Sequence, residues 1–132
     1  MDKNELQERM TVFAVRIIKM VDALPSTISG QAIARQIVRS GTSPSANYRA
    51  ACLAKSDKDF LNKLKMVDEE LDETSHWLDI IMRSEMMKVS RVQPLYQECC
   101  ELLSIIVKSI VTVKTRTQVE EIEKSKKIVN KL

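Results

Sequence analysis

The sequence predicts an all-α fold, an up-and-down antiparallel four-helix bundle, and three observations predict it. Two glycines and three prolines in 132 residues leave too few turns for a sheet. Aromatic residues make up only 4%, which argues against strands rich in β-type side chains. Apolar residues also recur at helical spacing in four separated stretches. An apolar content of 44% suffices for one core, and the length suits one domain. Residues 1–115 are read as the bundle domain, and 116–132 as an extension of helix 4 or a mobile tail.

Helix 1 is expected from about Asn4 to Leu24, where Leu6, Met10, Phe13, Ile17, Met20 and Leu24 recur at spacings of three and four. Pro25, Ser26 and Ser29-Gly30 should end it and open the turn to helix 2. Helix 2 is expected over roughly Gln31 to Ala54, interrupted at a pivot running from Arg39 to Asn47. Pro44 has no N–H to give to the carbonyl of Ser40, and its ring crowds that oxygen. Gly41, Pro44 and Asn47 are therefore read as a structural kink. Nearby hydroxyls and the Asn47 amide are expected to satisfy the freed backbone groups.

Helix 3 is expected from Phe60 to Ile81 behind an N-cap at Ser56, with Asp59 in the capping-box position. Its stripe is Phe60, Leu64, Val67, Leu71, Thr74, Leu78 and Ile81, with Trp77 beside it as an interhelix or intersubunit anchor. Helix 4 should begin near Val92 or Gln93, with Pro94 in its first turn, and continue to Val113 or beyond. Leu95, Cys99, Leu102, Ile106, Ile110 and Val113 form one stripe, and Leu103, Val107 and Val111 an adjoining one. That is more apolar face than one bundle needs, and a second subunit would bury the surplus. In the tail, Glu120–Lys124 and Glu123–Lys127 stand in favourable helical order.

Charge is unevenly spread. The net charge is +3, yet residues 30–55 carry Arg35, Arg39, Arg49 and Lys55 without an acid, while helix 3 holds the run Asp68-Glu69-Glu70-Leu71-Asp72-Glu73. Arg35 and Arg39, four apart, share a helix face and could clamp phosphate. The competing reading, which the neighbouring acids favour, is that helix 3 carboxylates consume them. With Arg49 and the tail cations Lys124, Lys126 and Lys127, they are the candidate nucleic-acid-binding residues.

Catalytic and metal readings are thin. Gly41-Thr42-Ser43 lacks the spacing of a phosphate loop. Glu73-Thr74-Ser75-His76 has the Glu-x-x-His form of a di-iron helix, but such a site needs the motif twice and the chain has one histidine. His76 is better read as an i, i+4 partner of Asp72. Cys52, Cys99 and Cys100 fall among apolar positions, an odd set that makes no disulfide framework and suits a reducing cytoplasm. No catalytic residue, metal site or cofactor is expected. No apolar run is long enough for a membrane span, and the charged N-terminus lacks a signal-peptide pattern.

The string RQIVRSGTSPSANYRAACLAKSDKDFLNKLKMVDEELDETSHWLDII carries a family resemblance. Its landmarks are Arg39-Ser40, Ser43, Ala46-Asn47, the Ser56…Asp59-Phe60 helix start, Glu70, Glu73 and Trp77-Leu78. The pattern, covering about residues 5 to 112, resembles the bacterial four-helix-bundle proteins encoded by intervening sequences of 23S ribosomal RNA genes. It is also similar to the accessory variability protein of diversity-generating retroelements. Where many members carry Glu-Gly after the asparagine, this chain has Arg49-Ala50-Ala51. The resemblance implies a bundle assembled as a homopentamer, without an established enzymatic activity. Its retroelement branch implies RNA or DNA binding and a reverse transcriptase as partner. The alternative is a protein-interaction scaffold that binds no nucleic acid.

Overall fold

The computed structural model describes residues 1–131 and contains four helices. These are α1 (Lys3–Val21), α2 (Ile28–Cys52), α3 (Asp57–Arg83) and α4 (Val89–Lys131). Each helix packs on the next in chain order, and α4 closes back more lightly on α1. Short connections between neighbours make the arrangement up-and-down and antiparallel. The interior is the predicted set of stripes: Met10, Phe13, Ile17, Ile37, Leu64, Val67, Leu71, Leu78, Ile81, Val92, Cys99, Leu102 and Ile106 are fully buried.

Side-chain caps set the helix starts. The Asp2 carboxylate accepts from the Glu5 amide at 2.9 Å, Thr27 Oγ1 from the Gly30 amide at 3.1 Å, and Ser56 Oγ from the Asp59 amide at 3.1 Å. The Thr27 cap starts α2 three residues before the expected Gln31 and places Gly30 inside the helix. Gly30 is needed there for close approach, because a Cβ would meet the Pro25 carbonyl oxygen at 2.1 Å. The α3–α4 turn is a Schellman motif: the Met86 amide bonds the Ile81 carbonyl and the Glu85 amide that of Met82, both at 3.2 Å. Glu85 occupies the left-handed position with φ 60°.

The pivot departs from expectation. Helix α2 is not interrupted; it stays helical through Pro44 to Cys52. Packing outweighs the local cost of the proline, which is itself buried with Ser40, Gly41 and Tyr48. Thr42 Oγ1 donates to the Val38 carbonyl at 2.6 Å, Ser43 Oγ to Arg39 at 2.7 Å and Ser45 Oγ to Thr42 at 2.9 Å. The half-buried Asn47 amide is not among these partners. Gly41 serves helix packing: a Cβ there would stand 2.8 Å from two carbons of Ile17. Beside it the buried hydroxyls of Ser40 and Thr74 are hydrogen-bonded at 3.0 Å across α2 and α3. Helix α4 likewise starts earlier than expected, at Val89, so Pro94 lies inside it.

Past the bundle the described residues of α4 continue as helix to Lys131. Helix α4 has 43 residues, about 64 Å at 1.5 Å per residue, against 27 residues in α3. Its last buried residue is Val113. Arg116 then grips Asp57 at the start of α3, at 2.8 and 3.1 Å, and beyond it the helix runs clear of the bundle.

Candidate nucleic-acid interface

The six cations singled out from the sequence divide into three situations. Arg39 is spent inside the molecule: Nη1 donates to Glu70 Oε2 at 2.9 Å and Nη2 to Glu73 Oε2. Glu73 also accepts from the half-buried Trp77 indole N–H at 3.1 Å, so the tryptophan anchors this chain's own α2–α3 seam. Arg35 and Arg49 are exposed and form no ion pair among the described residues. They lie fourteen residues apart on the outer side of α2, about 21 Å along its axis. Arg49 borders a shallow polar depression with Asn4, Gln7, Glu8, Thr11 and Ser45. Lys124, Lys126 and Lys127 stand exposed on the projecting part of α4, which leaves the bundle at the end where Arg49 also lies. The structure thus keeps five of the six cations in solvent, divided between α2 and α4.

The α1–α4 seam has the strongest charge pairing and also a cluster of cations that sequence reasoning passes over. Arg9 is held by Glu98 through two bonds, at 2.8 and 2.6 Å, and by Glu101 at 2.6 Å. The Arg9 hydrogen bond is the chief cause that holds the Glu98 carboxyl below its ordinary range, and the guanidinium is raised in turn. Two turns along α1, Arg16 lines a depression on the same seam together with Lys19 and, from α4, Arg91. Only the antiparallel pairing of α1 and α4 brings these residues together, since Arg16 and Arg91 lie 75 positions apart. No periodicity or motif could announce them.

The acids of α3 oppose an anionic partner on that side. Asp68 is held above the usual carboxylate range by burial first, then by Asp72 and Glu69. His76 makes no pair with Asp72 among the described residues; its ring tilts on Trp77 with centroids 5.1 Å apart. No group of three or more His, Cys, Asp or Glu side chains among the described residues is placed to hold a metal ion. Burial pushes the Cys99 thiol up to about 12, and its Sγ contacts the Leu71 carbonyl at 3.2 Å, so it is a protonated core group. No described helix is long and apolar enough to cross a membrane.

The surplus apolar face is real but divided. Leu103 packs against the core, whereas Val107 and Val111 are exposed on α4, as are Val12, Val15 and Ile18 on the outside of α1. A four-helix bundle with paired seams, outer arginines that form no ion pair among the described residues and exposed aliphatic faces defines the class, a small all-helical bundle protein.

The family can now be given. The model of the 23S rRNA-intervening sequence protein family matches residues 2–108, and the chain belongs to that family. A solved structure from Bacteroides thetaiotaomicron, described as a protein of unknown function from the S23 ribosomal protein family, is similar over the bundle. It is 32% identical, with a TM-score of 0.77, and the match covers 83% of this chain and 98% of that one. No curated protein matches the chain. The family match stops at residue 108, so the projecting part of α4 lies outside it.

Proposed function

We propose that this chain is a non-catalytic helical-bundle module of the cytoplasm that assembles with copies of itself, as a homopentamer, and binds nucleic acid through its basic surface. The observation that carries the reading is the set of exposed cations that form no ion pair among the described residues: Arg35 and Arg49 on α2, and Lys124, Lys126 and Lys127 on α4. Assembly is supported by the exposed aliphatics of α1 and α4, which a neighbouring copy would cover. The resemblance to the retroelement accessory protein extends the proposal to RNA or DNA as ligand and a reverse transcriptase as partner. Light scattering coupled to size exclusion, on protein of measured nucleic-acid content, tests it. A mass near five chains with nucleic acid shed as salt rises is expected, because phosphate contacts release counterions. A monomer, or protein that binds no nucleic acid at low salt, overturns it.

One observation favours a second reading, a protein-interaction scaffold: Glu70 and Glu73 capture Arg39 and so remove a cation from the α2 face. Reversing the charges of Lys124, Lys126 and Lys127 would then leave partner binding unchanged.

A further inference from the structure

Where α1 ends and α4 begins, a depression of about 230 Å³ is lined by Arg16, Lys19, Met20, Met87, Arg91 and Leu95. Its floor is apolar, with Met20, Met87 and Leu95 all buried. The Schellman turn at Glu85 reverses the chain just before Met87, and so carries that side chain into the floor. Its polar lining is entirely cationic, and none of the three cations takes part in an ion pair among the described residues. On the seam, Glu98 feels Arg16 as the smallest of the influences on it and is already engaged by Arg9. Two guanidiniums and an ammonium gathered on an apolar floor repel one another, and removing water from them makes that repulsion stronger. The same seam neutralises Arg9 with two carboxylates two helical turns away, so the missing acid is a local property of this depression.

We propose that this depression seats a phosphate group of a nucleic-acid backbone, with Arg16 and Arg91 gripping its oxygens and Lys19 adding charge. A planar guanidinium matches a phosphate edge with two parallel donors, and two of them lining one depression suit a single phosphate better than scattered surface lysines do. The inference rests on the nucleic-acid reading above and adds a site to it, at the opposite end of the bundle from the projecting part of α4.

The test uses a labelled oligouridylate RNA and, separately, inorganic phosphate, titrated into the full chain. The pocket variant Arg16→Gln/Lys19→Gln/Arg91→Gln is compared with Lys58→Gln/Lys63→Gln/Lys65→Gln, which removes the same charge from α3. The pocket variant should bind RNA about tenfold or more weakly, while the α3 variant changes about twofold or less. The salt slope should flatten by about 0.7, the contribution of one single-strand phosphate contact. If the triple variant unfolds, Lys19→Gln/Arg91→Gln, which touches only exposed residues, should still cost severalfold in affinity. RNA binding unchanged in the pocket variants overturns the site while leaving the nucleic-acid reading intact. Stabilisation by inorganic phosphate that depends on the three cations, with RNA binding unaffected, also overturns it by making the seat one for free phosphate. Failure of the unmodified chain to bind either this RNA or a single-stranded DNA of the same length sinks both.

Discussion

Helix α4 contains two regions with opposite relations to the rest of the molecule. From Val89 to Val113 it buries Val92, Leu95, Cys99, Leu102, Ile106, Ile110 and Val113 against α3 and, more lightly, α1. From Lys114 onward it buries nothing, and Val119, Ile122, Ile128 and Val129 face solvent. Backbone hydrogen bonding is continuous across both, so helicity by itself does not tell structural residues from free ones. What separates them is the loss of neighbours past the α2–α3 turn, with Arg116–Asp57 as the last tie. The family match covers the first region up to residue 108, and the second region lies outside it.

Substitutions can break or sharpen that contrast. Leu102→Ala in the packed region should cost about 2–5 kcal/mol, read from denaturant midpoints at constant m-value. A cost under about 1 kcal/mol would show that the core tolerates a cavity where none is expected. Arg9→Met removes the grip on Glu98 and should cost about 1–2 kcal/mol at neutral pH. Glu98 has a depressed folded pKa, so its contribution is present above the usual carboxylate range and is lost as pH falls through the folded value. Stability curves of the variant and the parent should therefore converge in acid. Equal separation at every pH would mean that Arg9 acts by packing alone.

Smaller effects lie at the boundaries of the packed region. Glu85→Gly should stabilise by about 0.5–1 kcal/mol, because glycine meets φ 60° without the side chain's steric cost. Arg116→Ala, on a half-exposed pair, should cost at most about 1 kcal/mol. Ile122→Ala, the counterpart of Leu102→Ala, should change stability by less than about 0.5 kcal/mol. A larger loss at Ile122 that grows on concentrating the protein would break the contrast, since only a neighbouring copy could then be burying it.

Legibility in the sequence followed the range of the interaction. The stripes of α1 and α3, the Ser56 cap and the capture of Arg39 by α3 acids all depend on spacings within one helix or between consecutive ones, and each could be read directly. The interruption of α2 could not be judged that way. Pro44 and Gly41 carry strong local signals, but the fold decides by burying Pro44 and by letting Ile17 pack on a glycine.

What the sequence determined by itself was the class of fold, the four apolar stripes and the identity of most core residues, because helical periodicity encodes burial along one element. Tertiary structure alone decided which charges are spent and which remain. The Arg9–Glu98 pair and the placing of Arg16 and Arg91 on one depression both arise across an antiparallel seam whose register no local pattern records. It also decided that α4 outruns its neighbours, because where a helix loses its partners depends on the lengths of the other three.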